Sequence, residues 1–123
     1  MSKNTISVGI VGASGFIGQE HLKRLTKKID GAVVTALYDI NKEKTDALAA
    51  EYGALSMESV DALIASDKVD AIVITAWDGV HAEVTNKAIA AGKPVFCEKP
   101  LATTKADCAE IVRIEQTAGR NLV

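Results

Sequence analysis

The sequence predicts an open α/β sheet, parallel and doubly wound, with helices on both faces. Three observations point to it. Short β-branched runs alternate with helix-period segments along the chain, the connections between them are only a few residues long, and a glycine-rich turn joins the first run to the first helical segment. The chain has 123 residues, which fits one domain, and its 48% hydrophobic content is enough apolar material to close a core.

The first run, 6–11, reads ISVGIV and is nearly continuous in apolar residues, as a strand buried on both faces requires. Segment 15–28 follows as a helix, with Phe16, Ile17, Leu22 and Leu25 on helical spacing and lysines near its end. AVVTALY, 32–38, is a second strand. Helix 42–52 turns Ala47, Leu48 and Ala50 inward and stops at Gly53. Ala54 and Leu55 make a short third strand, and 58–65 is a short helix. DAIVITA, 70–76, reads as a central strand, followed by a helix over 80–91 that Gly92 ends. Strand 94–97 tolerates Pro94 at its first residue. Helix 104–118 runs to Gly119, and 121–123 opens one more strand. Right-handed crossovers then give three layers. Residues 1–123 read as a single domain that stops while a sixth strand is under way, so a second, C-terminal domain is expected beyond it.

Charge and composition exclude several roles. With 14 basic and 16 acidic residues the net charge is −2, which gives no basic field for nucleic acid. No apolar run approaches the ~20 residues of a membrane span. The opening MSKNTISVGIVG lacks a signal-peptide core, so a cytoplasmic protein is expected. Cys97 and Cys108 are too few for a disulfide framework or a Cys-only zinc site; two buried free thiols and no metal centre are expected.

The turn is Gly12-Ala13-Ser14-Gly15-Phe16-Ile17-Gly18. A tight strand-to-helix turn uses backbone angles that a Cβ disfavours. A phosphate reaches the backbone only where no side chain blocks it, and the helix N-terminus offers it free N–H groups. Placed after the first strand and opening the first helix, Gly12, Ala13, Ser14, Gly15, Phe16 and Ile17 are read as the pyrophosphate site of a dinucleotide. Glycines that serve packing alone are the competing reading. The G-x-x-G-x-x-G spacing carries one residue more than the usual motif, and the Ser14 hydroxyl is expected near a phosphate.

Asp39 ends the second strand, somewhat further on than the roughly 20 residues typical of the motif. A carboxylate there accepts from the adenosine ribose hydroxyls and repels the 2′-phosphate of NADP, which favours NAD. Lys42 and Lys44 lie close enough to soften that discrimination. An ordinary strand-end acid, or the N-cap of the next helix, would look the same. Thr75, Ala76 and Trp77 end the fourth strand; small residues and the sole tryptophan suit a wall against a flat cofactor, or a cover for a helix end. His81 opens the next helix as a cofactor contact, a base, a cap or a packing group. Glu98 and Lys99 end the fifth strand and, taken alone, read equally as a surface ion pair.

Glu98-Lys99-Pro100, preceded by Ala91-Gly92-Lys93-Pro94-Val95, resembles the AGK-x-V-x-x-EKP segment of the Gfo/Idh/MocA oxidoreductases. Segments 76–81, 96–104 and 119–123 resemble the inositol 2-dehydrogenase branch of that family. The resemblance covers essentially the whole chain and corresponds to the N-terminal Rossmann domain of such an enzyme. It implies NAD-linked oxidation of a sugar or polyol hydroxyl, with hydride passing to the nicotinamide. It implies that Lys99 is the catalytic lysine, contacting the substrate hydroxyl and assisting proton transfer. It further implies Glu98 near the nicotinamide ribose, Pro100 directing Lys99 through a cis bond, a homo-oligomeric parent protein, and an aspartate and a histidine supplied by the second domain. Two other readings compete. An extended short-chain dehydrogenase or epimerase shares the glycine spacing but needs Tyr-x-x-x-Lys on a catalytic helix, and Tyr38 and Lys42 have that spacing only across a strand end. A non-catalytic NAD-sensing domain would bind without turnover.

Overall fold

The computed structural model describes residues 4–123. The elements are β1 (Ile6–Val11), α1 (Phe16–Lys27), β2 (Ala32–Tyr38), α2 (Lys42–Tyr52), β3 (Leu55–Ser56), α3 (Val60–Ala65), β4 (Ala71–Ile74), α4 (His81–Ala90), β5 (Val95–Cys97) and α5 (Lys105–Ala118). All five strands are parallel, in the order β3-β2-β1-β4-β5. From β1 the chain steps outward to β3, then returns to lay β4 against the other side of β1. That reversal opens a crevice past the strand ends, between β1 and β4.

Strand side chains alternate between two cores. Ile72 and Ile74 pack with Val11, Leu63, Val84 and Ala88 beneath α3 and α4. Val73 packs with Val8, Ile10, Leu22 and Leu37 beneath α1 and α2. A third cluster joins Ile111 of α5 to Ile89, Ala102 and Leu122. Between Val8 and Gly9 the β1–β2 register slips by one, leaving Thr35 as the extra residue. Its hydroxyl donates to the Lys68 carbonyl at 2.6 Å, and the slip lets Val34 and Leu37 share one face.

Local chemistry sets the helix ends. Asn41, Ser59 and Thr104 each accept from a backbone N–H as N-caps of α2, α3 and α5, worth about 1 kcal/mol apiece. Capping by Ser59 moves the start of α3 past the expected Glu58. A 3₁₀ turn over Asp78–Val80 precedes α4, which therefore begins one residue later than expected.

Other expectations are corrected. In α2 the inward residues are Thr45 and Ala49, with Leu48 half-buried, while Ala47 and Ala50 face water. The Thr45 hydroxyl donates to the Asn41 carbonyl, and an alanine-rich helix carries little apolar phase of its own. Residues 121–123 form no strand. Leu122 accepts one bond from Val95 N–H at 2.7 Å, but the N–H groups of Leu122 and Val123 donate to the Glu115 carboxylate instead of to a neighbouring strand. Cys97 and Cys108 are free but only half-buried, and burial pushes the Cys97 thiol up. No helix among the described residues is long and apolar enough to cross a membrane.

Candidate functional site at the strand ends

The three glycines of the turn differ in what the protein itself demands of them. Gly12 has φ +93°, and a Cβ there would sit 2.3 Å from the Ala76 nitrogen. A Cβ on Gly18 would sit 2.1 Å from the Gly12 carbonyl oxygen. Both are fixed by backbone pressed on backbone, and the Thr75 hydroxyl tightens the contact by donating to the Gly12 carbonyl at 2.9 Å. Gly15 is another matter. Its φ is −74°, and no atom comes nearer than 4.0 Å to the place its Cβ would occupy. Internal packing does not require a glycine there; the open space faces the crevice.

Gly15 is also the N-cap of α1, which has no side-chain cap and no acid in its first turn. The capped helices α2, α3 and α5 each carry an acid there: Glu43, Asp61 and Asp107. An uncapped N-terminus with partial positive charge and a missing Cβ in front of it fits a phosphate group. Phe16 and Ile17 offer main-chain N–H groups at this end, but their side chains point to solvent, Phe16 at 78% exposure, and they pack on no core. Ala13 is fully buried and its N–H donates to the Tyr38 carbonyl at 3.2 Å, so it shapes the turn from inside.

Asp39 holds the turn from the β2 side. Its Oδ2 accepts from the Ser14 N–H at 2.9 Å and from the Ser14 hydroxyl at 2.7 Å, and its Oδ1 accepts from the Ile40 N–H at 2.7 Å. Asn41, not Asp39, caps α2. The Ser14 hydroxyl donates to this carboxylate rather than pointing free, which corrects its expected placement toward a phosphate.

A cleft of about 610 Å³ runs from this point across the end of β4. It gathers Gly12, Ser14, Gly15 and Asp39 on one wall and Thr75, Ala76 and Trp77 on the other. The Trp77 ring lies over Gly79, where a Cβ would come within 2.1 Å of it, and stands 77% exposed at the mouth. Lys87 and Glu83 also line the cleft and were not foreseen. The Lys87 ammonium pairs with Asp61 at 3.0 Å and Glu83 at 3.4 Å, and the Asp61 bond raises its pKa. The i,i+4 Glu83–Lys87 spacing was the available signal.

His81 is corrected most. Its ring is 1% exposed, with Nδ1 2.6 Å from the Pro100 carbonyl and Nε2 2.8 Å from the Ala76 carbonyl. The ring is enclosed with each nitrogen facing a main-chain carbonyl, so it touches no ligand space; it lies between the end of β4 and the loop after β5.

That loop carries Glu98 and Lys99, and the Lys99–Pro100 bond is cis. Lys99 is exposed and lies outside the cleft lining. Glu98 pairs with a residue the sequence reading passed over: His21 of α1, whose Nε2 is 2.8 Å from Glu98 Oε2. The His21 ring meets Phe96 edge-on at 5.5 Å. The His21 bond holds the Glu98 carboxyl below the usual carboxylate range.

A parallel sheet with a glycine turn and an open helix N-terminus at its switch point, and an acid after β2, has the architecture of a dinucleotide-binding domain. Residues 6–123 match the oxidoreductase family with an NAD-binding Rossmann fold, Gfo/Idh/MocA, and the chain belongs to it. It is 48% identical over 122 residues to the inositol 2-dehydrogenase of Klebsiella pneumoniae subsp. pneumoniae, covering 97% of this chain and 36% of that one. It is 44% identical over 121 residues to the inositol 2-dehydrogenase of Gluconacetobacter diazotrophicus, again 97% of this chain and 36% of the relative. Among solved structures it superposes with a TM-score of 0.91 on myo-inositol dehydrogenase from Lactobacillus casei in complex with NAD(H) and myo-inositol, at 32% identity, covering 96% of this chain and 35% of that one. The chain therefore spans about a third of the length of these relatives.

Proposed function

We propose that this chain is the NAD-binding domain of an oxidoreductase that moves hydride between a sugar or polyol hydroxyl, inositol-like in class, and NAD. The observation that carries the reading is the pairing of an uncapped α1 N-terminus with a Gly15 that internal packing leaves open. Asp39 on the β2 side takes the adenosine ribose, and Glu98 and Lys99 on the β5 side flank the nicotinamide half. Thr75, Ala76 and Trp77 wall the cofactor between them. NAD, when bound, supplies the hydride acceptor. Lys99 orients the substrate hydroxyl and exchanges its proton, a role suited to an exposed lysine at the strand end. A second domain lies beyond residues 1–123 and brings the remaining acid–base groups and the substrate pocket. A cytoplasmic, homo-oligomeric parent protein completes the reading.

The test is Lys99→Ala in the full-length parent enzyme. General acid–base catalysis by Lys99 predicts a fall in kcat of about 10²–10⁴ with little change in NADH affinity. Near-normal kcat would make Lys99 structural. Binding of NADH with no polyol turnover in the unmutated parent would favour the sensing domain instead.

A further inference from the structure

We propose that His21 is a positioning residue that orients Glu98 toward the nicotinamide-side ribose and thereby ties the phosphate-binding helix to the β5 loop. The proposal rests on the nucleotide-binding reading above and extends it to a residue outside the glycine motif.

The geometry is specific. His21 lies in the second turn of α1, the helix whose N-terminus forms the phosphate cradle, and its partner is 77 residues away at the end of β5. The ring is fixed on two sides: its Nε2 bonds Glu98 Oε2 at 2.8 Å, and Phe96 packs edge-on at 5.5 Å. Its exposure is 20%, and that of Glu98 is 32%. A carboxylate on an unsupported strand-end loop would sample several rotamers. This one has Oε2 committed to α1, and among the described residues Oε1 meets only the Lys99 N–H at 3.4 Å, a long contact. Oε1 therefore keeps the capacity to accept from a ligand hydroxyl, on a loop that lies, like Lys99, beyond the lining of the cleft that Asp39 shares. In the strand order, β5 lies on the opposite side of β1 from Asp39, so that hydroxyl belongs to the half of the dinucleotide away from adenosine.

The experiment compares NADH with ADP, which has the adenosine and pyrophosphate but no second ribose, by calorimetric titration of this chain. Two variants separate the hydrogen bond from the packing. His21→Phe keeps a ring against Phe96 without a donor; His21→Gln keeps a donor near the Nε2 position without the ring. Loss of one ligand hydrogen bond predicts that His21→Phe weakens NADH about tenfold and ADP less than about twofold, with His21→Gln within about threefold of the unmutated chain for both. Unchanged NADH affinity in His21→Phe, equal losses for both ligands, or a His21→Gln chain as impaired as His21→Phe would overturn the proposal. Should His21→Phe fail to fold, His21→Ala carries the same expectations. If the unmutated chain binds neither ligand, the nucleotide-binding reading fails, and that outcome is distinct from all the others.

Discussion

Gly15→Ala separates the demands of the fold from those of the ligand. The backbone at Gly15 has φ −74° and ψ 171°, an extended conformation open to any residue. Its new methyl would meet nothing closer than the Gly12 carbonyl oxygen at 4.0 Å. Two opposing effects act on stability. Alanine restricts the unfolded chain, worth about 0.4–1 kcal/mol in favour of the variant. Alanine is also a poorer N-cap than glycine, by roughly 1 kcal/mol. They nearly cancel, so Tm is expected to move by less than about 5 °C. Binding should respond quite differently, because the methyl occupies the space in front of the α1 N-terminus. NADH affinity is expected to fall at least about tenfold, a change of about 1.4 kcal/mol. Gly18→Ala is the contrast, since its Cβ would stand 2.1 Å from a backbone oxygen and 3.0 Å from the Ala13 carbonyl carbon. Backbone must move to admit it, and a loss of about 3 kcal/mol or more is expected. Thermal melts and NADH calorimetry on both variants make the comparison. A stable Gly15→Ala chain that binds NADH as well as the unmutated one would refute the assignment of that space to the pyrophosphate.

Asp39→Ala should weaken NADH while narrowing the gap between NAD and NADP, because it removes both the ribose acceptor and the charge facing a 2′-phosphate. It should also cost about 1–3 kcal/mol of stability by orphaning the Ser14 N–H and hydroxyl; an unchanged NAD/NADP affinity ratio would leave Asp39 a purely structural acid. The Glu98 carboxyl, held low by His21, predicts an acid-side effect. A depressed folded pKa gives stability that is complete above the unfolded value, about 4.3, and is lost as pH falls through the folded one. The Tm advantage of the unmutated chain over Glu98→Gln should be present near neutral pH and close on acidification below that value; an advantage that persists in strong acid would exclude the carboxylate as its source.

What the sequence made legible was local. Strands β1 and β2 and helix α2 fall within the expected boundaries because a continuous apolar run and a left-handed Gly53 are each written in adjacent residues, whereas the cap lies at Asn41 and not at Asp39. The inward face of α2 was misjudged because its alanines give no phase. Phe16 and Ile17 have helical spacing yet face solvent, since Gly18 is the residue of that first turn that meets the protein, against the Gly12 carbonyl. The place of the glycine turn and of Asp39 in the fold was legible because the motif names them. His21 and the buried placement of His81 were not: one bonds across 77 residues and the other is packed between carbonyls of two separate loops. A lone histidine carries no mark in the sequence of a partner so distant.

The contact between Ser14 and Asp39 constrains how such a domain can change its cofactor preference. The same carboxylate that would discriminate between the two nicotinamide dinucleotides also anchors the turn proposed to receive their phosphates. Redesign confined to position 39 therefore trades selectivity against integrity of the cradle. A path toward a 2′-phosphorylated cofactor begins at position 14, where removing the hydroxyl lessens the turn's dependence on the acid before the acid is exchanged. Taken in the other order, the intermediate is a domain with a slack turn and no gain in recognition.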